Sequence, residues 1–465
     1  MIRLILHRLT TRVMALVVFE TVLIVSAVAV AAYARLGAAG WDLLVLEHGL
    51  YKMLLVALVC QTCLYYGDLY NLRHATDRRE LFVRIVQALG AASVILASIY
   101  FWVPSLVIGR GVFMFAAFIV MAVVVGWRVV FEWVSRRVRP RERLLLVGTN
   151  APAVALAREM YERRYEYGVE IVGFVDPDPN RRGAAVLNPG VIGTIEDIPS
   201  IVRARGVDRV VVSLADARGT LPMDKLLEMK LEGVSFAHLA SVYEEYTGKI
   251  AVENLRPSWL IFSEGFKKSR LVSASKRALD IGLAALGLLL AAPVMAVVAL
   301  AIKITSPGAA LYHQRRVGQH GRVFIIHKFR SMRLDAEATT GPVWASKAGD
   351  HRVIPLGGLM RRFRLDEIPQ LWNVLVGDMS MVGPRPERPE FVAELAKQIP
   401  YYGQRHIVRP GLTGWAQVRY TYGASQEDAL QKLQFDLFYI KNLSLSMDLF
   451  ILVNTVKTVL LRQGA

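Results

Sequence analysis

The 24 residues DIGLAALGLLLAAPVMAVVALAIK, Asp280 to Lys303, decide on which side of a membrane the rest of the chain lies. Their apolar part, Ile281 to Ile302, is 22 residues, and as a straight helix would extend roughly 33 Å, enough to cross a bilayer. Two features argue against a crossing. Pro293 stands in the middle, where it removes a backbone hydrogen bond and kinks or breaks a helix. Both flanks are basic, with Lys276 and Arg277 before and Lys303, Arg315, Arg316 and Arg322 after, a poor topology for a spanning helix and a natural one for a segment that enters and returns. The reading is a re-entrant membrane helix with its break at Pro293, leaving residues 303–465 cytoplasmic. A kinked fifth span is the alternative.

Upstream, four apolar runs at roughly 13–34, 50–66, 85–103 and 112–133 each approach the length of a transmembrane helix. The first has no small-residue cleavage site after a short core, so it reads as an anchor and not as a removable signal. Arg3, Arg8 and Arg12 precede the first run, Arg73, Arg78, Arg79 and Arg84 lie in or beside the second connection, and RRVRPRER, Arg136 to Arg143, follows the fourth. The first and third connections carry only Arg35 and Arg110. The positive-inside rule then puts both ends of a four-helix bundle in the cytoplasm. Composition agrees, with 54% hydrophobic and 20% charged residues over 465 positions and a net charge of +17 that suits an anionic partner. Cys60 and Cys63 form CxxC inside the apolar run LLVALVCQTCLYY. Without a second ligand pair, burial explains them better than zinc or redox chemistry.

From Leu144 the pattern alternates: strands RLLLVG, EIVGFVD, DRVVVSL and VSFAHLA are separated by helices APAVALAREMYERR, IEDIPSIVRARG and MDKLLEMKLEG. This predicts a parallel sheet with helical crossovers, a Rossmann-like module. Its first turn, GTNAPA from Gly148 to Ala153, has Asn150 and Ala153 where a dinucleotide site would want glycine, so a structural or regulatory role is expected over NAD binding.

Residues 303–465 carry 22 Lys and Arg against 13 Asp and Glu, much of the excess in QRRVGQHGRVF, HKFRSMR, DHRVIPLG, RRFRLDE, GPRPERP and VRPGLTGW. Arginines on Gly and Pro loops suit phosphate, although a basic face on acidic lipid is also compatible. In RRFRLDEIPQLWN, Arg361 to Asn373, Asp366 and Glu367 lie behind three arginines and just before a helix that Pro369 begins. They read either as capping acids or as a nucleophile and metal ligand beside a phosphate, and residue chemistry alone leaves both open. His313, His320, His327, His351 and His406 lack metal-ligand spacing, which argues against a zinc hydrolase.

From Lys276 onward the chain resembles the bacterial sugar transferases, the polyprenyl-phosphate hexose-1-phosphate transferases or monotopic phosphoglycosyl transferases. The motifs are KRALD, QRRVGQHGRVFIIHKFRSM, DHRVIPLGGLMRRFRLDEIPQLWNVLVGDMSMVGPRPERPEF, VRPGLTGWAQV and FDLFYIKNLSLSMDLFIL. The first half is similar in layout to long family members, including those of exopolysaccharide and PEP-CTERM systems. Ala292 stands where members often have Ser before the proline, which removes a hydroxyl that could satisfy a freed backbone group.

The resemblance implies an initiating enzyme in exopolysaccharide or O-antigen synthesis. Asp366 would attack the sugar-bearing phosphorus of a UDP-sugar, release UMP and pass hexose-1-phosphate to undecaprenyl phosphate. Glu367 would be the Mg2+ ligand, and Lys328, Arg330, Arg364 and Arg385 would contact phosphate. Asp436 and Tyr439 would support the substrate site, or form the polar face of an interfacial helix. The expected architecture is membrane α plus α/β: a four-helix transmembrane domain at 1–140, a Rossmann-like module at 141–265, and a basic connector with the re-entrant helix at 266–305. A mostly helical monotopic catalytic domain at 306–465 would end in interfacial helices. The implied location is the cytoplasmic face of the bacterial inner membrane. The implied partners are UDP-sugar, undecaprenyl phosphate and membrane lipid, not nucleic acid, with a homodimer left open. A nucleotide-sugar dehydratase or epimerase would need an intact glycine turn and a Tyr-x-x-x-Lys pair, and residues 144–265 supply neither. A membrane scaffold is the non-enzymatic alternative.

Overall fold

The computed structural model describes residues 11–38, 49–67, 69–70, 78–137, 142–162, 168–213, 223–252, 265–266, 269–333, 336, 352–420, 423 and 425–460. Arg3, Arg8, Arg73, Arg139 and Arg141, on which the orientation was read, lie outside the described residues, as do Lys267 and Lys268 of the connector. The chain divides into two compact units, Met1–Leu239 and Ala240–Ala465.

The first unit begins with four helices, α1 (Thr11–Leu36), α2 (Gly49–Tyr66), α3 (Arg78–Trp102) and α4 (Arg110–Arg137). Each contains a stretch long and apolar enough to cross a membrane. They pack through small and branched residues such as Val28, Ala31, Ala57, Ala92, Ala116 and Val124. Inside this apolar bundle Arg128 of α4 donates through Nε to Oε1 of Glu20 in α1 at 2.7 Å, and the Tyr70 hydroxyl donates to Oε2 of Glu20 at 2.6 Å. The two charges are buried and neutralise each other, and removing either alone would leave an uncompensated charge at a cost of about 3–5 kcal/mol.

The same unit continues with β1 (Glu142–Val147), α5 (Ala151–Glu162), β2 (Val169–Val175), β3 (Val191–Gly193), α6 (Ile198–Arg205), β4 (Arg209–Val212), α7 (Met223–Leu231) and β5 (Ser235–His238). The five strands are parallel in the order β3-β2-β1-β4-β5. This is the expected Rossmann-like sheet, and only the three-residue β3 escaped the sequence pattern. Leu145, Val147, Val175, Ile198, Val202 and Val210 fill one face of it.

The second unit contains most of α8 (Leu239–Thr247), followed by α9 (Arg270–Thr305), the antiparallel hairpin of β6 (Leu311–Val317) and β7 (Val323–Phe329), and α10 (Gly357–Arg362). After a 3-10 turn at Leu365–Glu367 come α11 (Gln370–Val376), β8 (Ser380–Val382), α12 (Pro389–Gln398) and a 3-10 helix at Tyr402–Ile407. The chain then forms β9 (Gly411–Thr413), parallel to β8, and α13 (Trp415–Arg419), α14 (Gln426–Asn442) and α15 (Leu445–Leu460).

Helix α9 is one helix of 36 residues with Pro293 inside it, where two helices around a break were expected. A stripe along its length faces the domain. Ala284 and Leu288 pack with Ile326, Leu371 and Val374, while Met295, Val298 and Ile302 pack with Phe329, Ile354 and Met360. These contacts on both sides of Pro293 offset the roughly 3 kcal/mol that an interior proline costs a helix. Its other face exposes Leu289, Leu290, Val294, Val297, Leu300 and Ile304, an apolar surface that suits hydrocarbon and not water.

The end of α8 and the residues after it are fastened to the last helices of the same unit. Trp415 Nε1 donates to the Gly248 carbonyl at 3.0 Å, the Ile250 amide donates to Gln434 O at 3.1 Å, and Lys441 Nζ pairs with Glu244 at 2.6 Å. Trp415→Phe leaves the Gly248 carbonyl without its indole donor. It should lower stability by about 1–3 kcal/mol, read as a fall in the melting temperature of detergent-solubilised protein. Arg203→Ala, which removes only an exposed ion pair with Glu232, should leave that temperature unchanged.

Candidate active site

Four local features bring cations to the acid pair. The hairpin β6–β7 carries Lys328 near its end, and Asn373 of α11 ties β7 in place by accepting from the His327 amide at 3.1 Å and donating to Ile325 O at 2.7 Å. Helix α10 ends at Arg361 and Arg362, and Arg364 follows with φ 52°, a left-handed conformation uncommon for a non-glycine residue. That conformation reverses the chain so that Arg364 meets the residue three positions on. The loop after β8 presents Arg385. A Cβ on Gly383 would collide with Arg409 O, and one on Gly411 with the Gly383 backbone, so glycine permits the close approach of this loop to β9.

At the centre lie Asp366 and Glu367, both buried in the 3-10 turn. Glu367 Oε1 receives Arg385 Nη2 at 2.6 Å and has Lys328 Nζ at 3.8 Å, while Oε2 receives Arg364 Nη1 at 3.2 Å. Burial alone would raise the Glu367 pKa, but Arg385, Lys328 and Arg364 together hold it well below the usual carboxylate range. Asp366 has no hydrogen bond or ion pair among the described residues, and burial together with the Glu367 charge pushes its pKa up. Lys328 is pushed down to about 8 by burial, against the pull of Glu367. One acid is therefore locked by three cations while its neighbour keeps free oxygens beside the same positive field. Helix α11 has only seven residues, so its dipole adds little and the side-chain cations dominate.

The structure gathers Lys328, Arg364 and Arg385 at this pair and gives the other expected site residues different partners. Arg330 donates to Pro307 O at 2.6 Å and Ser306 O at 2.9 Å, holding the exit of α9. Asp436 is paired with Arg405 at 2.8 Å, both buried, and burial raises its pKa to about 6 against the pull of that arginine. The Tyr439 hydroxyl lies 2.8 Å from Asp448 Oδ1 and 3.0 Å from Val382 O. Asp436 and Tyr439 thus belong to the packing behind the site.

The KRALD motif also acts from behind. Lys276 pairs with Asp448 at 2.7 Å and donates to Val382 O at 3.0 Å, Arg277 donates to Val374 O and Leu375 O, and Asp280 accepts from Ser380 and the Met381 amide. In the sequence Arg316 counts only as part of the basic flank after the apolar segment, and Arg405 carries no expectation. Their one available signal was proximity to the Gly and Pro clusters.

In the Rossmann-like module, the polar groups at the strand ends engage one another. Thr149 donates to Asp176, Asn150 donates to Ser213 O and accepts from Ser213 Oγ, and Asn150 Oδ1 caps α5 at the Ala153 amide. This accounts for GTNAPA in place of a three-glycine turn.

Residues 271–462 match the family model described as bacterial sugar transferase, and residues 66–221 match one described as CoA-binding domain. An Aeromonas hydrophila protein named UDP-N-acetylgalactosamine-undecaprenyl-phosphate N-acetylgalactosaminephosphotransferase is 39% identical over 56% of this chain and 60% of its own length. A Xanthomonas campestris pv. campestris UDP-glucose:undecaprenyl-phosphate glucose-1-phosphate transferase is 31% identical over 69% of this chain and 66% of its own. The match therefore spans less than two thirds of either relative. A Bacillus subtilis protein named as a putative undecaprenyl-phosphate N-acetylgalactosaminyl 1-phosphate transferase is 49% identical over 30% of this chain and 76% of its own length. The family-model match contains the acid pair and its three cations, and on these matches the chain belongs to the bacterial sugar transferase family.

Proposed function

We propose that this protein transfers a sugar-1-phosphate from a UDP-sugar to undecaprenyl phosphate through a covalent intermediate on Asp366, as an initiating step of exopolysaccharide or O-antigen synthesis. The observation that carries this reading is the asymmetry of the acid pair, with Glu367 held by Arg385, Lys328 and Arg364 and Asp366 unpaired beside them. A carboxylate attacks an anionic phosphorus only where positive charge neutralises both, and this turn supplies that charge.

Lys328, Arg364 and Arg385 orient the diphosphate. An oxygen of Asp366 bonds to the sugar-bearing phosphorus as the bond from that phosphorus to the bridging oxygen breaks, and UMP leaves with the bridging oxygen. A phosphate oxygen of the lipid then bonds to the same phosphorus, the aspartyl oxygen leaves, and the carboxylate is restored with the lipid-diphosphate sugar. Neither step requires net proton transfer. Both oxygens of Glu367 are engaged by Arg385, Lys328 and Arg364, so Glu367 would hold Mg2+ only once substrate phosphate draws one of these cations away; Mg2+ commonly takes one or two carboxylates together with water and substrate phosphate. When bound, that ion would supply Lewis-acid charge to the phosphate oxygens. The named relatives support a UDP-hexose or UDP-N-acetylhexosamine donor.

The packing of α9 supports a helix that does not cross the bilayer. Both halves touch the same domain, whereas a spanning helix would deliver its ends to opposite faces of the bilayer. Its exposed apolar face would lie in the inner leaflet, keeping Asp366 where UDP-sugars and the lipid phosphate meet.

The test is UMP release from a panel of UDP-glucose, UDP-galactose and UDP-N-acetylgalactosamine with undecaprenyl phosphate and Mg2+. Asp366→Asn should abolish release with the melting temperature retained, and Glu367→Gln should reduce both turnover and its Mg2+ dependence. Wild-type rates from Asp366→Asn would overturn the covalent mechanism. The pH profile provides a second check. Lys328, pushed down to about 8, is charged below that pH and loses its charge above it, so turnover should fall as pH rises through about 8. Lys328→Arg keeps its charge and should move this limb to higher pH. An identical limb in both proteins would remove Lys328 from the phosphate site.

A further inference from the structure

The Pro-Arg-Pro loop that carries Arg385 is held by its carbonyls. Pro384 and Pro386 have no N–H to offer to a ladder, so the loop must be fixed through its acceptors. Four successive carbonyls each receive a donor from another segment: Pro384 O from the Gly411 amide at 2.9 Å, Arg385 O from Arg405 Nη2 at 3.1 Å, Pro386 O from Arg316 Nη1 at 3.0 Å and Glu387 O from the Val317 amide at 2.9 Å. The two central donors are guanidinium groups from distant parts of the chain.

Each of these arginines is itself anchored. Arg405 is buried, pairs with Asp436 at 2.8 Å and donates to the Tyr402 hydroxyl at 2.7 Å. Arg316 is held by Gln314 Oε1 at 2.7 Å and faces Glu387 at 3.6 Å. A planar fork with several donors can bind a carboxylate, a hydroxyl and a carbonyl at once, which an ammonium on a flexible stem cannot reproduce.

We propose that Arg405 and Arg316 are positioning residues for the phosphoryl-transfer site. Through the carbonyls of Arg385 and Pro386 they fix the loop so that the Arg385 side chain reaches Glu367 at 2.6 Å. The buried Asp436–Arg405 pair is the rear half of this device, linking α14 to the acid pair without touching substrate. This inference rests on the transferase reading and extends it to residues that lie behind the reacting groups.

A purely structural role would lower stability and activity whatever occupies position 385. A positioning role requires Arg385 to be present. The decisive experiment is a double-mutant cycle in UMP release with Arg405→Lys, Arg385→Ala and the combined variant. Arg405→Lys alone should lower kcat roughly 10- to 100-fold, the scale of a misplacement of about 1 Å. In the Arg385→Ala background the same change should cost less than about 3-fold, because the group being aimed is gone. Equal fold-losses in both backgrounds would overturn the proposal. If Arg405→Lys folds poorly, Arg316→Lys tests the neighbouring carbonyl and should show the same non-additivity.

If the wild-type protein releases no UMP from any donor, the transferase reading fails by itself. The positioning claim is then read from melting temperatures. The coupling between Arg385→Ala and Glu367→Gln should be measurable in the wild-type background and lost with Arg405→Lys, and a coupling that survives Arg405→Lys would refute the proposal.

Discussion

The site depends on the distribution of charge around two adjacent carboxylates. Asp366 and Glu367 are both buried in one short turn, where like charges oppose ionisation of both. Three cations converge on Glu367 and make its charge permanent. Asp366 is left with free oxygens in a field that favours approach of a phosphate. An equal sharing of the cations would give two inert ion pairs, whereas the unequal arrangement separates a charge-locked acid from one with free oxygens, the division on which the proposed mechanism rests.

That arrangement draws on segments far apart in the chain. Lys328 arrives on a hairpin fastened to α11 by Asn373, Arg364 through a left-handed residue, and Arg385 on a loop bounded by prolines. Behind them, Lys276, Arg277 and Asp280 bind the first part of α9 to β8 and α11, while Arg330 binds the exit of the same helix. A single long helix thereby serves as floor for the domain and as its apolar outer surface. The packing that sustains it across Pro293 is the packing that supports the acid pair.

Much of this was legible in the chain because it follows local rules. The four apolar runs became four helices, the alternating segments after Leu144 became a parallel sheet, and the basic residues of HKFRSM, RRFRLDE and GPRP supplied the three cations at Glu367. Other features depended on tertiary packing or on contacts between residues from 23 to 197 positions apart. Pro293 predicts a break by propensity, yet contacts on both its sides keep the helix continuous. Arg330 and Asp436 have the residue chemistry of phosphate and metal sites, but a buried arginine bound to carbonyls and a buried aspartate paired with Arg405 have no local signature. The pairing of Glu20 with Arg128, and the attachment of residues 244–250 to α14 and Trp415, were invisible for the same reason.

The account's central claim is a bond between Asp366 and the phosphorus of the donor. Its most direct test is mass spectrometry of peptides from the full-length protein, quenched in acid after incubation with UDP-sugar and Mg2+ in the absence of lipid acceptor. The account predicts that the peptide containing Asp366 gains the mass of one sugar phosphate, that the gain disappears when undecaprenyl phosphate is added before quenching, and that it never forms in Asp366→Asn. An unmodified peptide, in a preparation that nonetheless produces lipid-linked sugar when acceptor is supplied, would point to direct attack by the lipid phosphate and contradict the covalent role of Asp366.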